Sequence, residues 1–419
     1  MKPRVLLCAT TTGYQLRMFD EAAARLGLDL RLASDRCGVL DDPWRDHAIP
    51  VRYHELDSSL EALQANLGRS SLSGVLAVGD RPTVLAARAA RAFGVRWHSP
   101  DAAEISRNKV RLRERLAAAG LPVPWFRVLP PDDTDAARLA PRYPCVVKPV
   151  ILSGSRGVIR ADDAGGLNDA VARLRRILSG PDVRALRDPD ADVILVEGFV
   201  PGSEHAIEGL MAAGRLHPLA IFDKPDPLDG PFFEETIYVT PSRVPDATQA
   251  AMVDAIQIAA TAIGLTDGPV HAECRVHRGR VVVLEVAARS IGGLCARALA
   301  FTRDDVTIPF EELLLRHAAG MDWKSWTRES RASGVMMIPI PAAGVYRGVA
   351  GEADAIDVPG VTAVQITAKT DQQLLPLPEG STYLGFIFAG AEAPADVEAA
   401  LRTAHGRLQF RIDRALTLA

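Results

Sequence analysis

Apolar positions along the chain follow two rhythms. Short continuous apolar runs at Val5–Ala9, Leu28–Ala33 and Gly74–Val78 read as buried strands. Stretches with apolar residues three and four apart, near Tyr14–Leu26, Ser58–Leu67 and Pro82–Phe93, read as amphipathic helices. A further short strand is expected at Val95–His98. Strand and helix alternate at the spacing of βαβ units up to about residue 105, which predicts a small parallel sheet. Another helix opens at Asn108-Lys109 and stops at Gly120, before Leu-Pro-Val-Pro, because glycine ends helices and proline cannot continue them. Beyond it strands predominate. Tyr143–Lys148 and Val193–Glu197 are apolar runs ending in a charge, while Val270–Val276 and Val281–Ala287 flank a turn containing Gly279, the mark of an antiparallel hairpin. Ile221–Pro241 is dense in proline and glycine and is expected to be a structured loop lying over a sheet. Gly334–Ile338, Val361–Lys369 and Leu384–Ala389 read as strands, and Ala395–Leu408 as a helix. The fold class is α/β passing into α+β.

A chain of 419 residues makes two to four domains with well-buried cores. Its net charge of −4 and pI of about 6.2 suggest neither a nucleic-acid nor an anionic-membrane surface. Five cysteines (Cys8, Cys37, Cys145, Cys274, Cys295) form no CxxC pair, as expected of reduced, buried thiols in a cytoplasmic protein. The apolar run at residues 4–9 is too short for a signal peptide, and no segment approaches the roughly 18 to 20 apolar residues of a membrane helix. The turn Thr10–Gly13 lacks GxGxxG spacing, so a structural first turn is preferred to a dinucleotide site.

The chemistry gathers in residues 268–295. Glu273 and Glu285 fall on opposite arms of the predicted hairpin. With a two-residue loop, Arg278 and Gly279, period-two alternation would set these acids on opposite faces. A three-residue loop, His277 to Gly279 with Gly279 left-handed, would set both on one face, and this second geometry is expected. Two anions on one apolar face repel unless a cation lies between them, and hard divalent ions with oxygen ligands supply one. Arg289 follows, then Gly292 and Gly293, whose amides can approach an oxyanion.

Upstream, Lys148 ends an apolar strand, where a lysine calls for an anionic partner. The next segment, Ser153, Gly154, Ser155, Arg156 and Gly157, can wrap phosphate oxygens with its amides, although the GxxxxGK[ST] pattern is absent. With Lys109, these features suggest polyphosphate binding. Glu197 at a strand end can accept from an adenine amino group beside the backbone near Val200, and Glu204 can accept from ribose hydroxyls. Each of these acids alone reads equally well as a surface strand end.

In order, Asn108-Lys109, Val147-Lys148-Pro149, Ser153–Gly157, Val196-Glu197 to Val200, Glu204, Glu273, Glu285 and Arg289 resemble the motifs of an ATP-grasp ligase over roughly residues 1 to 315. Met336 to Pro341, Val358 to Val361 and Leu384 to Phe388 resemble the C-terminal domain of L-amino acid ligases within that superfamily. The resemblance implies a Rossmann-like domain (1–105), two subdomains around the nucleotide (106–195 and 196–315) and a small strand-rich closing domain (316–419).

It also implies that Lys109, Lys148 and the Ser153–Gly157 lid contact ATP phosphates, Glu197 and Val200 hold adenine, and Glu204 holds ribose. Glu273 and Glu285 would carry two Mg²⁺ ions, with Mn²⁺ as an alternative. Lys224 is placed near the γ-phosphate or an acyl phosphate, and Glu235 near a substrate amine. Many relatives carry Asn two positions after the second acid, where this chain has Ala287, and that puts the metal count in question. The implied reaction joins a small carboxylate to an amine, both amino acids, through an acyl phosphate, with release of ADP and phosphate. By analogy a homodimer is expected. The competing readings are a biotin-carboxylase-like N-carboxylating enzyme and a nucleotide-binding protein without catalysis.

Overall fold

The computed structural model describes residues 2–10, 14–35, 48–68, 72–130, 133 and 136–414. Cys37 and most of the Thr10–Gly13 turn lie outside these residues.

A four-stranded parallel sheet opens the chain, in the order Ala48–Pro50, Asp29–Ser34, Arg4–Ala9, Gly74–Val78. Val5 to Ala9 are fully buried, as a continuous apolar run between two helical layers requires. The chain leaves Arg4–Ala9 toward one neighbour and returns on the other side, so a crevice opens at the C-terminal ends of Arg4–Ala9 and Gly74–Val78. The strand expected at Val95–His98 is absent. Gly94, left-handed at φ 68°, closes the preceding helix, and the segment docks sideways through the buried ring of His98. His98 Nε2 donates to the Pro269 carbonyl at 3.1 Å, and Nδ1 accepts from Thr266 N at 3.3 Å.

Asn108 caps the helix Lys109–Ala118 by accepting from Val110 N and Arg111 N. A second sheet, antiparallel throughout, runs Phe126–Leu129, Ile194–Gly198, Cys145–Pro149, Ile159–Ala161. The helix Ala164–Leu178 backs it, burying Leu167, Ala170, Val171, Leu174, Ile177 and Leu178 at helical spacing.

The third unit is an eight-stranded antiparallel sheet: Arg280–Ala287, Gly268–His277, Ser203–Ala212, Arg215–Lys224, Ile237–Thr240, Ala332–Ile338, Gly385–Ala391, Val361–Ile366. Two of its strands take up the ends of the expected Ile221–Pro241 loop, and only the span between Lys224 and Ile237 is irregular. Three strands after residue 330 extend the sheet that carries the acidic hairpin, because Ala332–Ile338 pairs with Ile237–Thr240, while Gly344–Ala350, Gln373–Leu374 and Gln409–Asp413 form a small sheet of their own.

The hairpin turn differs from the expected one. It has two residues, Arg278 (φ 49°) and Gly279 (φ 74°), between His277 and Arg280, the positive-φ pair of a type I′ turn. A bulge between Glu273 and Cys274 nonetheless sets Glu273 opposite Glu285, while Cys274 faces Val283, so Leu284 is the added residue.

Candidate active site

A cleft of about 820 Å³ lies where the three sheets meet. Thr10, Gly79 and Asp80 reach it from the parallel-sheet ends. Lys109, Lys148, Ser153, Gly154, Ser155 and Glu197 line the second sheet's side. Glu204, Glu273, Glu285, Arg289, Gly292 and Gly293 line the third, with Val200 at its edge and Tyr383 and Phe386 at the far end. Of the phosphate-loop residues and the charged residues singled out from the sequence, Arg156, Gly157 and Lys224 lie outside the lining.

The Glu273 carboxylate is 2.7 Å from Lys224 Nζ and 3.5 Å from His271 Nε2. Burial would raise its pKa, but Lys224 and His271 hold it well below the usual carboxylate range. Glu285, 27% exposed, lies 4.0 Å from Arg289. Two opposed carboxylates on one cleft wall give hard oxygen donors of the kind a magnesium ion takes, and Ala287 adds none, so the pair fits such an ion.

A second acidic group, Glu204, Glu235 and Glu273, brings carboxylate oxygens within 4.8 Å of one another. Its cation is internal. Lys224 Nζ lies 2.8, 2.7 and 2.7 Å from the three. Burial would lower this ammonium, but the three acids raise it well above the lysine range, and a metal there would collide with a fixed positive charge. Lys224, expected at the phosphates, is therefore enclosed by carboxylates. Glu235, expected to meet an amine, faces the cleft and also accepts from Tyr238 Oη at 2.8 Å.

On the second sheet, Lys148 Nζ sits 2.5 Å from Glu197, whose carboxylate also accepts a fork from Arg113 at 2.8 and 3.2 Å. Burial would raise Glu197, but Arg113 and Lys148 hold it at about 2. That side chain already takes three donors, which leaves one of its four lone-pair directions for an adenine amino group at this strand end. Glu204 is likewise engaged, by Lys224 and by Arg275, and Arg275 also donates to the Val200 carbonyl at 2.7 Å.

Lys109 occupies the first turn of its helix, where the dipole disfavours a cation. Its ammonium reaches the Leu152 carbonyl at 2.6 Å. Burial lowers its pKa, against the pull of Glu285, so a phosphate there would relieve a desolvated charge. The glycine-rich loop runs through left-handed residues at Gly154 (φ 62°), Ser155 (φ 55°) and Gly157 (φ 73°). A Cβ at Gly157 would come within 2.7 Å of Leu174.

Arg289 makes a two-pronged ion pair with Asp80, at 2.7 and 3.1 Å. The fully buried Glu208 accepts Ile291 N at 3.1 Å and pairs with His271 Nδ1, fixing the loop that carries Gly292 and Gly293. Burial would lower His271, but Glu208 and Glu273 raise it to about 9. Asp80, Arg113, Glu208, His271 and Arg275 escaped the sequence reading. A signal existed only for Asp80, which follows a parallel strand at the crevice end.

Residues 141–298 match the family of ATP-grasp domains, and residues 336–413 match L-amino acid ligase C-terminal domain 2. The L-amino acid ligase from Bacillus licheniformis superposes with a TM-score of 0.81 at 26% identity, covering 99% of each chain. An uncharacterized protein, y4rH, from Sinorhizobium fredii is 26% identical over 98% of this chain and 83% of its own. Alanine–anticapsin ligase of Bacillus subtilis is 30% identical over 220 residues, 49% of this chain, and the match takes in 46% of that ligase's length.

Proposed function

We propose that this chain, an ATP-grasp ligase by its matched domains, joins the carboxylate of one amino acid to the amine of another, releasing ADP and phosphate. The observation that carries the reading is Glu273 set opposite Glu285 in a cleft that also holds Lys109 and Lys148.

A carboxylate cannot expel hydroxide at neutral pH, so its oxygen must first acquire a better leaving group. In the proposed route it attacks the γ-phosphorus of ATP, ADP departs, and an acyl phosphate remains. The amine nitrogen then bonds to the acyl carbon, and phosphate leaves with the former carboxylate oxygen. Such phosphoryl transfer asks the protein for alignment and charge stabilisation. Lys109 and Lys148 hold phosphate oxygens, and the amides of Ser153, Gly154 and Ser155 cover them, while those of Arg156 and Gly157 are bonded within the protein. Glu197 and the backbone near Val200 face the base, with Glu204 toward the ribose. Glu273 and Glu285 would hold Mg²⁺, in the proposal two ions with Mn²⁺ as substitute; when bound, the metal neutralises charge on the transferring group. Arg289, aimed by Asp80, and the amides of Gly292 and Gly293 receive the substrate carboxylate and the oxyanion of the tetrahedral intermediate. Glu235 and Tyr238 mark the amine's approach, with Lys224 holding Glu235 in place.

Among the described residues no helix is long and apolar enough to cross a membrane. The free, buried Cys8, Cys145, Cys274 and Cys295 support placement in the cytoplasm.

The test is ATP with Mg²⁺ and paired amino acids, read by mass spectrometry for dipeptides and by phosphate release. ATP binding without turnover on any pair would instead support a nucleotide-binding protein without catalysis.

A further inference from the structure

The glycine-rich loop is braced from the C-terminal region of the chain. Gly157 N donates to the Pro378 carbonyl at 2.9 Å, and Arg156 Nε donates to the Glu379 carbonyl at 2.8 Å. From the helix behind the second sheet, Arg173 places a fork on the Glu379 carboxylate at 2.7 and 2.9 Å. Gly154 packs so near Ser381 that a Cβ there would lie 3.4 Å from Ser381 Cβ. The same stretch turns its other side to the cleft, where Ser381, Thr382 and Tyr383 join the lining. Tyr383 packs on Phe386 with ring centroids 6.2 Å apart, and Phe386 lies 3.6 Å from a Cβ built on Gly293. Residues 376–383 thus touch the phosphate loop on one side and, through Tyr383 and Phe386, the oxyanion loop on the other.

We propose that residues 376–383 form a strap by which the C-terminal region holds the Ser153–Gly157 loop over the cleft, with Glu379 as its positioning residue, so that an acyl phosphate is kept from water until an amine reaches it. The proposal rests on the ligase reading above. Water bonding to the acyl carbon would expel phosphate and return the free acid, consuming ATP without making an amide. The strap's energetics suit a lid. The side chains of Arg173 and Glu379 are 37% and 38% exposed, and solvent-screened pairs of this kind contribute little, so closure stays reversible enough to admit ATP and release ADP. The two-pronged geometry supplies direction that a single contact would not. The two bonds that reach the loop end on the backbone carbonyls of Pro378 and Glu379, so the Glu379 carboxylate acts by fixing the strap's path rather than by touching the loop.

The test compares wild type, Glu379→Ala, Arg173→Ala and the charge swap Arg173→Glu with Glu379→Arg. Hydrogen exchange at residues 153–157, with ATP and Mg²⁺ present, should run several-fold faster in the single variants and return toward wild type in the swap. Exchange in Glu379→Ala equal to wild type overturns the strap, whether or not the enzyme turns over. With ATP, Mg²⁺ and a mixture of the proteinogenic amino acids, phosphate released per amide formed should at least double in both single variants and recover in the swap. A purely structural pair would lower both rates together and leave that ratio unchanged, which overturns the shielding role. If wild type releases no phosphate with the mixture, the ligase reading fails, and the exchange measurement still decides the strap.

Discussion

Arg113 donates to the carbonyl of Leu284 at 2.8 Å, and Leu284 is the residue that the bulge adds to the acidic hairpin. Had the ladder stayed regular from the two-residue turn, Glu273 would face Leu284 and Glu285 would point to the other side of the sheet. The bulge brings Glu285 opposite Glu273 and takes a carbonyl out of the ladder, and a buried carbonyl needs a donor. Arg113 supplies it while gripping Glu197, which holds Lys148. One guanidinium thereby links the carboxylate pair to the lysine of the neighbouring sheet.

Glu285→Gln keeps the size of the side chain and removes its charge. Phosphate release in the presence of ATP, Mg²⁺ and amino acids should fall at least a hundredfold, with the melting temperature within a few degrees of wild type. A variant turning over at the wild-type rate would remove Glu285 from the metal assignment.

Arg113→Ala leaves Glu197, only 2% exposed, with Lys148 as its remaining cation, and breaking a buried pair in this way costs about 3–5 kcal/mol. Denaturant unfolding measures that loss. Arg113→Lys retains the charge without the fork or the reach to Leu284. It should fold and need several-fold more Mg²⁺ for half-maximal phosphate release, whereas an unchanged Mg²⁺ dependence would separate the bulge from metal binding.

Arg289 is held in the cleft by Asp80. Losing an oxyanion donor costs about 2.7–4 kcal/mol, so Arg289→Met should lower kcat by about 10² to 10³. Asp80→Asn leaves the guanidinium in place but weakens its aim, and should produce a smaller drop of the same kind. Steady-state kinetics decide; equal losses in the two variants would argue that Asp80 itself meets the substrate.

His98 gives a prediction about acid. Burial lowers its pKa from 6.5 to about 4, with His317 nearby lowering it further and the Pro269 carbonyl acting against both. Between those pH values the unfolded chain binds the proton and the folded chain does not, so this group's contribution is complete above pH 6.5 and is lost as pH falls through 4. His98→Gln cannot titrate. The stability gap between wild type and this variant should narrow by on the order of 3 kcal/mol from pH 6.5 to 4. Glu311, pushed up to about 7 by burial, acts in the opposite sense and cancels because both proteins carry it. Unfolding curves across that range that stay parallel would contradict the assignment.

Much of the frame was legible because its causes are local. Apolar runs gave three of the four parallel strands, all but Ala48–Pro50, helical spacing gave the helix ending at Leu26, and the Asn108 cap and Gly120 marked the limits of the helix Lys109–Ala118. The opposed acids were anticipated for a mistaken reason: an expected three-residue turn proved to be a two-residue turn plus a bulge, two devices with the same effect on facing. Val95–His98 has strand composition, yet it joins no ladder, and the buried polar ring of His98 finds its partners on Thr266 and Pro269 instead.

The chain's own order of residues determined which segments became strands and helices, where lysines and acids would stand at their ends, and that a glycine-rich loop follows Lys148. Tertiary structure alone decided who meets whom. Arg113 and Glu197 are 84 residues apart, Arg289 and Asp80 are 209 apart, and Arg173 and Glu379 are 206 apart. Backbone preference and side-chain period act over a few residues and leave a mark in the sequence. The pairing of buried charges across such distances is settled when three sheets pack, because each desolvated ion must find its counter-charge among whatever the packing brings within reach.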